Sequence, residues 1–268
     1  MAVHVTDAIC IFRTPFGETS QIAHWITPGQ GRVACLLKGA FNEKNSYHGN
    51  EDLPSLSKVV FSARRGRGLA LLRERKLIDH FPGLRRSLRR FSAASLVLES
   101  VRWGVQEGQV VPGLFPLLAK TFKALDRCGP ECDIILFTFL GGFLKMIGFQ
   151  PVLKGCVLCG REPVEGTPLF VTPRHGGVVC RNCRSDMRQG VIVSMDAARF
   201  VQAAPRMDPL AVEGIRCSVA VGKELWSFFE VFMTYFLERE FKSFAFARRS
   251  GSAVPLSGPA DGPRGGDH

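Results

Sequence analysis

Two Cys-x-x-Cys pairs constrain this chain more than any other feature: GCVLCG at 155–160 and VCRNCR at 179–184, with twenty residues between Cys159 and Cys180. Each pair is a knuckle that presents two thiolates from one turn, and two knuckles close a four-coordinate tetrahedral zinc site. Gly160, directly after the second thiol, permits the left-handed turn such knuckles favour. Reduced core cysteines and a redox dithiol are the competing readings. A lone Cys-x-x-Cys leaves the redox reading open, whereas the duplicate at this spacing selects zinc, held by Cys156, Cys159, Cys180 and Cys183. Four thiolates leave no coordination position for water, so the metal is structural. His175, between the knuckles, reads as an ordinary loop histidine and not a ligand. The intervening REPVEGTPLFVTPRHGGVV has the punctuation of a hairpin and few large apolar residues. Structural zinc, with apparent binding energies of ~10–16 kcal/mol, suffices to order it. The other five cysteines, Cys10, Cys35, Cys128, Cys132 and Cys217, stand in apolar or irregular contexts and read as small, reduced, buried hydrophobes.

A metal module at 152–190 is a small part of 268 residues, and at ~150 residues per domain the remainder has room for more than one folded unit. Short β-rich runs punctuated by Pro/Gly pairs fill residues 8–80: AICIFRT, SQIAHWIT, RVACLLKGA, LSKVVFSARR and LALLRERKLIDHF. Five strands in that length suit a small closed barrel, the oligonucleotide-binding (OB) barrel first and an SH3-like barrel close behind. After Phe81-Pro82-Gly83 the period turns helical, with Leu84, Leu88 and Phe91 on one face and Arg85, Arg86, Arg89 and Arg90 on the other. Further helices are predicted over 112–126 and 131–148, with Pro112 and Pro130 near their first turns, and over 196–204 and 218–246. The apolar run Ile134–Phe149, broken by Thr138, Gly141, Gly142 and Lys145, reads as a buried helix and not a membrane span. The fold class is therefore α+β and multidomain: a five-stranded OB-fold β-barrel at 1–80, a helical domain at 81–151 and 191–249 carrying an inserted four-cysteine zinc module at 152–190, and a disordered Gly/Pro/Ser-rich tail at 250–268. Residues 1–12 lack the pattern of an export signal, which makes the cytoplasm the expected compartment.

The formal net charge of +11 points to a polyanionic partner, and its distribution says more than its size. Between Arg32 and Arg90 stand fourteen Lys/Arg against five acids, a local excess of nine. SARRGRG at 62–68 sets Arg64, Arg65 and Arg67 around a glycine turn, and Lys38 opens another loop. Arginines on such turns reach phosphates and stack on bases. The candidate DNA-binding residues are thus Lys38, Arg64, Arg65, Arg67, Arg85, Arg86, Arg89 and Arg90. Phe12, Phe16, Trp25 and Phe41 interleave with this charge, and core packing is the expected role of each. The six histidines have no partner at a motif spacing, and the sequence contains no Gly-x-x-x-x-Gly-Lys-Ser/Thr loop. Nothing in it indicates an enzyme.

Several stretches, in order, resemble one family, the bacterial RecO recombination mediators. They are AICIFRTPFGETSQIAHWITPGQGRVACLLKGA, GRGLALLRERKLIDHFPGLRRSL, FLKMIGFQPVLKGCVLCG and FKSFAFARR, and together they cover roughly residues 6–247. The resemblance implies an N-terminal OB fold, a helical domain with a lodged zinc module, and work in recombinational repair. It implies binding and annealing of single-stranded DNA, contact with duplex DNA, and help in loading RecA onto strands coated by single-strand-binding protein, with RecR as a partner. The carried-over ligands are Cys156, Cys159, Cys180 and Cys183. The loop after Lys38-Gly39-Ala40, FNEKNS, is less basic than the family pattern. A receptor for the acidic tail of single-strand-binding protein needs an apolar pocket with a basic rim, and Arg239 and Lys242, beside the aromatic-rich 225–246, are the candidates for that partner. A zinc-ribbon RNA-binding or transcription-associated module is the competing functional reading.

Overall fold

A computed structural model describes residues 2–42, 53–63, 68–129, 132–184, 187, 189–212 and 214–249. Arg64, Arg65 and Arg67, Pro130, and the tail at 250–268 lie outside the described residues.

The five expected strands form, as β1 (Ala2–Phe16), β2 (Ser20–Thr27), β3 (Gly31–Leu37), β4 (Ser55–Ala63) and β5 (Ala70–Asp79). They close into a barrel in the order β1-β2-β3-β5-β4, antiparallel except where β3 meets β5 through Cys35↔Ala70 and Leu36↔Leu71. That closure is an OB barrel, and it removes the SH3-like alternative. The run Ala8-Ile9-Cys10-Ile11 of β1 is buried on both faces. Strand alternation turns Ala8 and Cys10 into the barrel beside Trp25, Cys35, Val59 and Phe61, and turns Ile9 and Ile11 outward with Ile26 of β2 into the core of the helices. One strand thus serves two cores, which ties the barrel to the helical body.

A 3-10 turn, Pro82–Arg86, leads into α1 (Leu88–Gly104), α2 (Leu114–Arg127) and α3 (Cys132–Met146). Every residue from Ile134 to Leu144 of α3 is buried, as its all-round apolarity requires. Gly141 on this helix makes room for Ala204, which a Cβ would meet at 2.6 Å. Then come β6 (Leu169–Thr172), β7 (Gly177–Val178), the short α4 (Arg181–Arg184), β8 (Val191–Val193), α5 (Met195–Ala203), α6 (Val219–Leu237) and α7 (Lys242–Ala247). Strands β7-β6-β8 form a small antiparallel sheet. Leu169 and Val171 of β6 face the helical core, and Phe170 faces Cys156 and Val179 of the cysteine cluster.

Three sequence expectations about elements and cysteines need correction here. Leu84, Leu88 and Phe91 do not share a buried face: Leu84 is buried, but Leu88 and Phe91 are 58% and 42% exposed. The cause is a break at Ser87, whose extended backbone and side chain cap α1 and reset its phase, so that Ala93, Leu96, Val97 and Val101 make the core face. The single helix expected at 218–246 is two, because α6 ends at a left-handed Glu238 followed by Arg239 and Glu240, which have no apolar surface to bury. The hairpin expected between the knuckles forms as β6 and β7, and β8, beyond the second knuckle, adds a third strand to the other edge of β6. Of the five cysteines outside the knuckles only Cys10 and Cys35 are buried and reduced; Cys128 and Cys132 are joined by a disulfide and Cys217 is exposed.

The barrel docks on the helices through its β2–β3 turn. Arg32 N–H donates to the Gln109 carbonyl at 3.2 Å, and Gly108 N–H donates to the Arg32 carbonyl at 2.7 Å. Gly31, at φ 64°, permits this: a Cβ there would stand 2.0 Å from the Gln109 carbonyl oxygen. The Arg32 guanidinium continues the seam, donating to the carbonyls of Arg102 and Val105 at 2.7 and 2.6 Å.

Candidate metal centre and nucleic-acid interface

The four knuckle cysteines converge. One sulfur from each of Cys156, Cys159, Cys180 and Cys183 lies within 4.8 Å of the other three. The first knuckle is a turn in which Gly160 N–H donates to the Cys156 carbonyl at 2.8 Å, with Gly160 at φ 73° as the sequence predicts. The second is the start of α4, where Cys183 and Arg184 N–H both donate to the Cys180 carbonyl at 3.0 Å. The Cys159 and Cys180 sulfurs are 3.7 Å apart. A tetrahedral ion bonded to thiolates at ~2.3 Å sets its sulfurs ~3.8 Å apart, so these residues fit one such ion. Burial pushes the Cys156 thiol up, but N–H groups of Cys180, Leu158 and Cys159 outweigh it and hold this thiol down to about 6. Cys183 is pushed up to about 12 by the neighbouring Cys159 and Cys180 sulfurs. The four sulfurs crowd one point, where a bound cation would favour their thiolate forms. His175 sits in the 3-10 turn Pro173–His175 and is not part of the cluster.

Of the predicted basic set, Lys38 is exposed in the turn leaving β3. The same turn ties back to the β1–β2 turn through Phe41 N–H and the Thr19 carbonyl, 3.1 Å, and leaves Phe41 and Phe16 half exposed at that end of the barrel, which corrects the core packing expected of both. Trp25, by contrast, is buried. The four arginines at 85–90 do not form one solvated face. Arg85 and Arg86 belong to the 3-10 turn, and Arg85 donates to the His80 and Phe81 carbonyls. Arg89 pairs with Asp133 at 3.3 Å. Arg90 reaches the Asp126 carbonyl at 2.7 Å, while the Asp126 carboxylate accepts from Gly83 N–H at 2.6 Å. Arg86 is exposed.

Sequence reasoning missed the seam. His24 stacks on Phe12 with ring centroids 3.8 Å apart, and the guanidinium groups of Arg32 and Arg102 lie 5.1 and 4.4 Å from the Phe12 centroid. Burial, then Arg32 and Arg102, pull His24 down to about 4, so it stays neutral at neutral pH. Beside the seam a groove of about 750 Å³ is lined by His4, Gln30, Arg32, Phe61, Gln106 and Glu107. No sequence signal joins these positions, because they meet only when the barrel docks.

The partner candidates separate. Lys242 and Phe246 stand four residues apart on α7, hence on one side of it. Phe246 meets Phe91 of α1 edge to face at 6.4 Å, so α7 adjoins the exposed Leu88 and Phe91. Arg239 instead lies over the Trp103 ring, 5.2 Å from its centroid.

Comparison with known proteins accounts for nearly the whole chain. Residues 1–81 match the family described as Recombination protein O N terminal, and residues 85–245 match Recombination protein O C terminal. The chain is 30% identical to the DNA repair protein RecO of Rhodopirellula baltica over 210 residues, 77% of each chain. It is 29% identical to the DNA repair protein RecO of Pelotomaculum thermopropionicum over 262 residues, 97% of this chain and 100% of the other. To the protein of the same name from a Roseiflexus species it is 29% identical over 259 residues, 96% and 89% of the two chains.

Proposed function

This chain belongs to the recombination protein O family, and from that premise we propose that it is a DNA repair and recombination mediator which binds and anneals single-stranded DNA. In this reading it also helps load RecA onto strands coated by single-strand-binding protein. The observation that carries the reading is the closed OB barrel, fused by a shared core to a helical body, with Lys38, Phe16 and Phe41 exposed at one end. A cation beside exposed rings suits a flexible polyanion whose bases are unpaired. The chain's task is binding, not bond-breaking, and its compartment is the cytoplasm, at the nucleoid. Lys38, Arg64, Arg65, Arg67 and Arg86 are the contacts we assign to phosphates. Arg85, Arg89 and Arg90 add positive potential while their side chains brace the turn into α1.

Cys156, Cys159, Cys180 and Cys183 hold one zinc ion in this reading. When bound, zinc would offset half the charge of the four thiolates and clamp the two knuckles together. The chain's own part is to present the sulfurs from two turns and to anchor β6 in the helical core. Leu88, Phe91 and Phe246, with Lys242 at the edge, form the surface we assign to the acidic tail of single-strand-binding protein, and RecR is a further partner.

Fluorescence anisotropy of a labelled single strand, titrated with the full chain at several salt concentrations, tests the binding. The reading requires affinity without sequence preference that falls as salt rises. A chain that leaves the strand unbound at low salt rejects it.

A further inference from the structure

A line of ring and cation contacts runs out of the seam onto the surface. It starts at His24 and Phe12 in the barrel, passes through Arg102 at 4.4 Å from Phe12, and continues to Trp103, whose centroid lies 4.8 Å from the Arg102 guanidinium. It ends at Arg239, 5.2 Å from the same indole. The inner members join barrel to helices. The outer three, Arg102, Trp103 and Arg239, are all exposed, Trp103 to 40%. Their position is fixed by the neighbouring residue: a Cβ on Gly104 would meet Phe143 at 2.6 Å and Leu237 at 3.4 Å. The end of α1 therefore sinks against the end of α6, and Arg239 comes down over the ring.

Docking the barrel does not require an open indole. Neither Arg102 nor Arg239 has a carboxylate partner among the described residues. An exposed indole with two guanidinium groups over it, neither paired to a carboxylate, suits a ligand that is itself flat and carries negative charge on either side to draw those groups off the ring, which describes a nucleotide in a single strand. A cationic ligand is repelled, and an acidic peptide has nothing flat to lay on the ring. We propose that Trp103 is a base-stacking platform for single-stranded DNA, with Arg102 and Arg239 on the flanking phosphates, carrying the strand from the barrel across the seam. This rests on the single-strand-binding reading above and extends it to a site outside the barrel.

The chain's three tryptophans make the test direct, since Trp25 and Trp226 are 1% and 4% exposed and Trp103 alone is open. A labelled oligothymidine is titrated with the full chain while anisotropy and tryptophan emission are followed together. The strand quenches the emission as it binds, and Trp103→Phe removes most of the quenching while keeping most of the affinity. Trp103→Ala weakens binding about 5- to 100-fold and leaves the salt slope unchanged. Arg102→Ala with Arg239→Ala flattens that slope by about 1.4. A strand with abasic sites loses affinity for the wild type by at least the factor that Trp103→Ala costs, and loses less in that variant. Thermal melting shows whether Trp103→Ala is folded; if it is not, the Trp103→Phe quenching and the abasic strand on the wild type decide the matter. Binding by anisotropy with unchanged emission, or full affinity for the abasic strand, overturns the platform and leaves the single-strand reading standing. A strand that does not bind at all overturns both.

Discussion

Replacing Gly31 by alanine tests how the barrel is held on the helices. The new Cβ would stand 2.0 Å from the Gln109 carbonyl oxygen and 2.7 Å from Val110 N, both backbone atoms that no rotamer change can move. A left-handed conformation costs a residue other than glycine ~1–2 kcal/mol. Forcing the turn away also weakens the two seam hydrogen bonds between Arg32 and Gly108/Gln109, worth ~0.5–1.5 kcal/mol each. The total is ~2–5 kcal/mol. Gly17, at φ 66° with nothing within 4 Å of its Cβ position, supplies the control, since Gly17→Ala carries the conformational cost alone. At ~2–4 °C per kcal/mol for a chain near this size, Gly17→Ala lowers Tm by ~2–8 °C and Gly31→Ala by ~4–20 °C. Thermal melting of the full chain, followed by circular dichroism, compares them. A Gly31→Ala variant no less stable than Gly17→Ala refutes the close approach on which the seam depends.

The metal site, the arginines at 64, 65 and 67 and the half-buried His24 give three more predictions. Chain purified without chelator carries one zinc by elemental analysis, and Cys159→Ser loses it together with the order of the lobe; a content below about 0.3 per chain rejects a four-thiolate site. Arg64→Ala with Arg65→Ala and Arg67→Ala flattens the log–log salt dependence of single-strand binding by about two, and an unchanged slope removes those residues from the interface. His24 is held near 4 against an ordinary 6.5, so the unfolded chain takes up a proton first as the pH falls. Its contribution to stability is intact above about pH 6.5 and is lost progressively from there towards pH 4. The urea midpoint therefore drops between about pH 7 and pH 5, and His24→Gln reduces that drop; an equal drop in the variant contradicts the assignment.

What the sequence made legible was local. The strands of the barrel announce themselves through Pro15-Phe16-Gly17 and Pro28-Gly29-Gln30-Gly31, which cut the apolar runs where the chain must reverse. The knuckles show because two thiols three residues apart are a complete half-site. The phase of α1 did not show, because a serine cap between two arginine pairs leaves the apolar spacing looking continuous while resetting the helix. The disulfide between Cys128 and Cys132 joins the C-terminal cap of α2 to the first residue of α3, and spacing alone does not distinguish it from two buried thiols. The seam was invisible for a different reason. His24, Arg102 and Arg239 are far apart in the chain, and what lets their surroundings meet is the lack of a side chain at Gly31 and Gly104. The arginines at 85–90 were visible as charge, but their bonds to backbone carbonyls and Asp133 were not.

Annealing of complementary single strands coated with single-strand-binding protein tests the central claim most directly, because it requires the chain both to engage the coat and to bring two strands together. The account predicts that the full chain accelerates duplex formation on coated strands, that added salt suppresses the effect, and that Lys242→Glu reduces it. Duplex formation on coated strands at the rate seen without the chain would contradict it.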